Sequence, residues 1–158
     1  VGIADVDTRM LVRHIRSKGA MNALISSELT PEQMKAELAK VPSMDGLELS
    51  SVVSTKKPYF FGDANATFRI AALDVGIKTN ILRNLSQRDC YVQVFPAKTS
   101  FAEMDKWNPH GYFISNGPGD PSVMDYAIKT VKAILDSGKP VFGICLGHQL
   151  LALACGLR

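Results

Sequence analysis

Apolar and polar positions along the chain fall into two regimes. In the first, up to about residue 41, helical spacing dominates. "DVDTRMLVRHIRSKG" places Met10, Leu11, His14 and Ile15 on one helical face, after an Asp/Thr start signal and before a stop at Gly19. The run "MNALIS" that follows reads as a strand. "TPEQMKAELAKV" then offers Thr30 as N-cap, Pro31 at the first helical position and Gln33 three residues after the cap, a capping box ahead of Met34, Leu38 and Val41. From about Pro42 to Thr67 the residues Pro, Gly, Ser, Lys and Asn interrupt every apolar pair, which predicts a linker.

In the second regime strand and helix alternate four times with short connections. "FRIAALDV", "CYVQVFP", "GYFISN" and "PVFGI" read as strands, and "KTNILRNLSQRD", "SFAEMDKWN", "PSVMDYAIKTVKAILDSG" and "LGHQLLALACG" as helices. That rhythm predicts an α/β fold, a mostly parallel open sheet with helices on both faces, whose ligands bind at the carboxyl ends of the strands. The expected organisation is a small α/β unit over residues 1–60 and a second domain over residues 68–158.

Composition narrows the classes. The 158 residues are 46% hydrophobic and 21% charged, the profile of a packed globular chain and not of a disordered one. A net charge of +3, with Lys and Arg scattered, argues against nucleic acid. No apolar run approaches the roughly 20 residues of a spanning helix, so no membrane partner is expected. The chain begins with Val and lacks the regions of a secretory signal, so it reads as a piece of a longer polypeptide. Three cysteines, Cys90, Cys145 and Cys155, without CxxC spacing or paired histidines, argue against a metal site and a disulfide framework and for a reducing cytoplasm.

Two motifs at predicted strand ends carry candidate chemistry. "GICLG" sets Cys145 between Gly143 and Gly147 where a strand turns into a helix, the G-x-nucleophile-x-G arrangement. A side chain two positions either side of the nucleophile would collide across so tight a turn. The turn lifts the sulfur over the end of the sheet, and the helix from Leu146 aims unpaired N–H groups and a positive dipole end at it, which favours the thiolate that reacts. A small core residue between two glycines is the alternative. "SNGPGDP" follows the preceding strand and so reaches the same sheet edge. Its Gly117 and Gly119 leave backbone N–H groups open to a ligand; with the N–H of Leu146 a glycine of this loop could hold an oxyanion. A plain βα turn, with Asp120 or Ser122 as cap and Pro121 opening the helix, fits the same residues.

Other candidates read as structural. His148 lies three residues along the helix that starts at the cysteine, so its ring should not turn back over the sulfur, whereas Gln149 is better placed to offer an amide to the site. His14 and His110 read as a helix and a turn residue, Cys90 and Cys155 as packing, and Asp74 and Gly76 as mainly structural residues at the functional edge.

"FGICLGHQLLALACG" together with "SNGPGDP" resembles the class I, or triad, glutamine amidotransferases. Within that family "GIADVDTRMLVRHIRSKGAMN" and "LDVGIKTNILR" are similar to the branch of small, glutamine-hydrolysing subunits of carbamoyl-phosphate synthases; the D-x-D-T-R segment is not expected in anthranilate, GMP or CTP synthase glutaminase domains. The resemblance covers nearly the whole chain. It implies that Cys145 attacks the carboxamide of L-glutamine, expels ammonia and forms a glutamyl thioester that water hydrolyses. It further implies that Leu146 and Gly117 make oxyanion and substrate backbone contacts, and that Gly119 and Gln149 make further glutamine contacts. The implied partner is the carbamoyl-phosphate synthase large subunit, which receives the ammonia and makes carbamoyl phosphate for arginine and pyrimidine synthesis. No cofactor is implied in this chain; ATP and magnesium belong to that partner. The family's triad also needs a His and a Glu well downstream of the nucleophile, and none of the three histidines here fits. The 158 residues alone are therefore expected to be inactive. A glutaminase serving another ammonia-channelling synthetase and a non-catalytic regulatory relative are the alternatives.

Overall fold

Residues 2–19 and 21–157 are described by a computed structural model. Two compact units divide between Asp45 and Gly46. In the first, Asp7 accepts the Met10 N–H at 2.9 Å and starts α1 (Thr8–Lys18), which ends at Gly19 with φ +87°. The predicted capping box forms: at the start of α2 (Pro31–Leu38), Gln33 N–H donates to Thr30 Oγ1 at 3.3 Å and Thr30 N–H to Gln33 Oε1 at 2.9 Å. "MNALIS" is not a strand. It has no ladder partner among the described residues, and Asn22 instead donates its side-chain amide to the carbonyls of Val41 and Pro42 at 3.0 and 3.1 Å. A strand needs a neighbouring edge, which an apolar run alone does not provide.

The second unit shows why its predicted strands hold. β2 (Phe68–Asp74), β3 (Cys90–Pro96), β4 (Gly111–Ile114) and β5 (Val141–Gly143) form a sheet with β1 (Tyr59–Phe61) in the order β1-β3-β2-β4-β5. Every pairing is parallel except that of β1, which runs antiparallel to β3. The apolar runs are buried on both faces, as parallel strands require. On one face Ala71, Leu73, Phe95 and Ile114 pack with Met104 of α5 (Phe101–Asp105), Val131 and Ile134 of α6 (Asp125–Asp136) and Leu150 of α7 (Leu146–Ala154). On the other, Ala72, Val92, Val94 and Phe113 pack with Leu82 of α4 (Thr79–Ser86). The predicted open sheet with helices on both faces is therefore present. No helix among the described residues is long and apolar enough to cross a membrane.

Two expectations change. The stretch read as a linker carries α3 (Ser50–Val53) and the edge strand β1, and from Gly46 onward it belongs to the second unit. The helix expected from Pro121 is divided: a single 3-10 turn, Pro121–Val123, precedes α6, and Met124, at φ −99° and ψ 50°, separates them with its side chain fully buried. Burying that methionine requires a backbone kink that helical periodicity does not reveal.

Candidate active site

Strand order sets the location. β2 is flanked by β3 on one side and β4 on the other, so the order in which successive strands are added reverses at the β2–β4 boundary, where open α/β sheets bind ligands beyond their carboxyl ends. The loops after β2 and β4 and the turn after β5 meet at that edge.

The turn after β5 is strained at the cysteine. Cys145 is exposed and adopts φ 54° with ψ −112° as the N-cap of α7. The other described non-glycine residues at positive φ are Asp5, Asp89 and Asn108, types that tolerate it; a cysteine there carries a cost of about 1–3 kcal/mol that the surrounding packing must offset. Gly143 has the predicted reason: a Cβ would lie 2.6 Å from the carbonyl carbon and oxygen of Gly147, straight across the turn. Gly147 has a different one. Its Cβ would lie 2.1 Å from the Ile114 carbonyl oxygen and 2.8 Å from that of Ser115, so this glycine lets α7 rest on the end of β4.

That contact joins the two motifs. Ile144 N–H donates to the Ile114 carbonyl at 3.1 Å, and a Cβ on Gly117 would stand 1.9 Å from the Val75 carbonyl oxygen and 3.0 Å from Leu146 Cδ2. Gly117 is thus squeezed between the β2 loop and the start of α7. Gly119, at φ +102°, abuts the Leu47 carbonyl. Among the described residues the backbone N–H groups of Gly117, Gly119 and Leu146 donate to no protein acceptor. Gln149 is exposed on the first turn of α7, its N–H on the Cys145 carbonyl at 3.1 Å.

The two histidines of the second unit do not engage the cysteine. His110 sits at the amino ends of the strands, where its Nδ1 accepts the Arg69 N–H at 3.0 Å, the opposite edge from Cys145. His148 is exposed on α7, and Cys145 makes no capping bond with its side chain. Asp74 is structural as expected: 4% exposed, it accepts Gly76 and Ile77 N–H at 2.9 and 2.8 Å and Thr55 N–H at 2.7 Å. Cys90 is buried, and that burial pushes its thiol up. Cys155, expected to pack, is instead exposed, because it lies just beyond the last turn of α7.

Sequence reading missed the strap over residues 46–55. Gly46 N–H donates to Asp120 Oδ2 at 3.0 Å, Asp120 N–H to the Leu47 carbonyl at 3.0 Å, and Ser50 Oγ to the Pro118 carbonyl at 2.9 Å. Glu48 accepts from Ser51 and from the Tyr126 hydroxyl, the latter at 2.9 Å. Burial raises the Glu48 carboxyl, but the bonds from Ser51 and Tyr126, with the charge of Lys98, outweigh it and leave the group below its ordinary value of 4.5. A depressed folded value means stability present above the unfolded value and lost as pH falls through the folded one. Acidification below about pH 4.5 should therefore loosen the strap, measurable as rising amide exchange over residues 46–52, and Glu48→Gln should flatten that dependence.

Residues 71–158 match the family model described as glutamine amidotransferase class-I. The chain is 48% identical over 161 aligned residues to the carbamoyl phosphate synthase small chain of Chlorobaculum tepidum, covering 100% of this chain and 44% of that protein. Against the protein of the same name from Synechococcus sp. it is 44% identical over 171 residues, covering 100% and 44%. Against that from Yersinia pestis it is 46% identical over 175 residues, covering 100% and 45%. The chain thus spans less than half the length of these curated relatives. With a strained cysteine at a glycine-flanked strand-to-helix turn, a bare glycine loop beside it and a family match over most of the second unit, this chain belongs to the class-I glutamine amidotransferases.

Proposed function

We propose that this chain is the nucleophile-bearing part of a glutamine-hydrolysing carbamoyl phosphate synthase small chain, with Cys145 as the attacking group. The single observation that carries the reading is Cys145 held exposed at φ 54° as the N-cap of α7, a conformation that folding alone does not favour. The sulfur adds to the carboxamide carbon of glutamine. The resulting oxyanion is held by the Leu146 N–H and a glycine N–H of the 115–120 loop. Collapse expels ammonia and leaves a glutamyl thioester, which water cleaves to glutamate. Gly119 and Gln149 hold the amino-acid end of the substrate. Proton transfer to the departing ammonia needs a general acid–base group that His14, His110 and His148 do not supply, and the resemblance assigns it to a His–Glu pair further along the polypeptide. The names of the relatives support a large-chain partner as the destination of the ammonia.

The test is labelling by a glutamine analogue with an electrophilic γ-carbon, followed by peptide mapping. Cys145 should be modified well before Cys90 and Cys155, and glutamine should protect it. Cys145 and Cys155 are both exposed, so equal labelling of the two would remove the reading. Stimulation of turnover by the large chain of a carbamoyl phosphate synthase, and not by other synthetases, separates this partner from another ammonia acceptor.

A further inference from the structure

We propose that two buried serines, Ser50 and Ser115, are positioning residues that aim the glycine N–H groups of the 115–120 loop at glutamine; the proposal rests on the functional reading above. Both side chains belong to residues with 0% exposure. Ser115 Oγ accepts the Val75 N–H at 2.9 Å and donates to the Asn116 carbonyl at 2.8 Å. Ser50 Oγ donates to the Pro118 carbonyl at 2.9 Å. Each serine therefore holds a carbonyl whose peptide partner is a glycine nitrogen: Asn116–Gly117 in one case, Pro118–Gly119 in the other.

The planarity of the peptide converts these bonds into direction. No described peptide is cis, and in a planar trans unit the C=O and N–H point to opposite sides. Fixing the Asn116 carbonyl on Ser115 fixes the Gly117 N–H away from the β2 loop, and fixing the Pro118 carbonyl on Ser50 fixes the Gly119 N–H away from the strap. Among the described residues both N–H groups, like that of Leu146, donate to no protein acceptor. Glycine peptides otherwise rotate with little resistance, because no Cβ restricts φ. A loop built as Gly-Pro-Gly gains its ligand access from bare glycines and its fixed donors from outside the loop.

The two serines differ in what they should control. Gly117 lies beside Leu146 at the start of α7, so its N–H is the oxyanion donor and its aim acts on the transition state. Gly119 is farther along the loop, against the strap, so its aim acts on substrate binding. In the full-length polypeptide with its partner, Ser115→Ala should lower kcat for glutamine hydrolysis about tenfold or more, with KM little changed. Ser50→Ala should raise KM about fivefold with kcat within about twofold, and Ser50→Thr, which keeps the hydroxyl, should restore KM. Ser115→Ala also strips a partner from the Val75 N–H, so melting temperatures are measured alongside, and Ser115→Thr serves as the folded comparison with the hydroxyl kept.

A crystal structure of Ser50→Ala supplies an activity-independent readout: the Pro118 carbonyl should turn from its present direction. Parental kinetics in both alanine variants would overturn the proposal. So would an unmoved Pro118 carbonyl in Ser50→Ala, or a loss of activity that follows only the melting temperature and is shared by the threonine variants. If the parent protein does not hydrolyse glutamine at all, the functional reading fails, and the carbonyl direction alone decides the positioning claim.

Discussion

Cys145→Ala in the full-length polypeptide should reduce glutamine hydrolysis by at least about a thousandfold and leave its folding intact. The size follows from the proposed role. A group that forms a covalent bond to substrate cannot be replaced by a methyl, whereas loss of one hydrogen-bond donor leaves the rest of the site at work. Stability should hardly change, because the side chain is exposed and no capping bond depends on it. Cys145→Gly makes a sharper companion. It should be as inactive as the alanine variant and at least as stable, since relief of about 1–3 kcal/mol of strain at φ 54° outweighs or matches the roughly 0.5–1 kcal/mol entropic cost of glycine. Ammonia release and thermal melting on the three proteins check both halves. Turnover within tenfold of the parent in either variant would show that another group carries the reaction.

The glycine pattern of this site was legible in the sequence because steric exclusion is a local matter. "GICLG" and "SNGPGDP" announce tight backbone on their own, and both loops meet at one sheet edge because parallel strands put all their carboxyl ends on the same side. Individual reasons were less legible. Gly143 clears the turn as expected, but Gly147 clears a neighbouring strand, a relation between residues 33 positions apart that only the folded sheet creates. The same distinction runs through the fold. The capping box at Thr30 is a four-residue device, complete within its own stretch of sequence. β1 is only three residues long and directly follows a proline, so it is recognisable as a strand only through its pairing with β3, and the apolar run "MNALIS" has no partner among the described residues to receive it. The strap over residues 46–55 is the largest omission at the site. Its polar residues look like linker in isolation, and their hydrogen bonds to Pro118 and Asp120 span about 70 positions.

Gly147→Val should be the most damaging single substitution at the elbow, exceeding Gly143→Val and far exceeding Cys145→Ala in its effect on stability. A Cβ at position 147 would stand 2.1 Å from the Ile114 carbonyl oxygen, 2.7 Å from its carbon and 2.8 Å from the Ser115 oxygen. All three are backbone atoms at the end of a strand whose residues are buried, so none can swing aside. Relief requires α7 to lift from β4, which uncovers Leu146 and Leu150, at 1% and 0% exposure, and breaks the Ile144–Ile114 bond. Exposing two leucines costs about 3–6 kcal/mol and one lost bond roughly another 1, enough to lower the melting temperature by more than about 10 °C. At Gly143 the contacts are the Gly147 carbonyl carbon and oxygen, both at 2.6 Å, and Leu151 Cδ1 at 2.7 Å; neither backbone contact is as short as the 2.1 Å at position 147, both lie within the same turn, and the leucine can change rotamer, so the penalty is smaller. Gly138→Asn is the matched control: φ is +70° but nothing lies within 4 Å, and asparagine tolerates that φ, so it should melt close to the parent. The ranking, read from thermal melts of these variants in the full-length polypeptide, tests the packing and not the chemistry. If Gly147→Val melts with Gly138→Asn, α7 does not rest on the end of β4, and the junction between the cysteine turn and the glycine loop is not the one described.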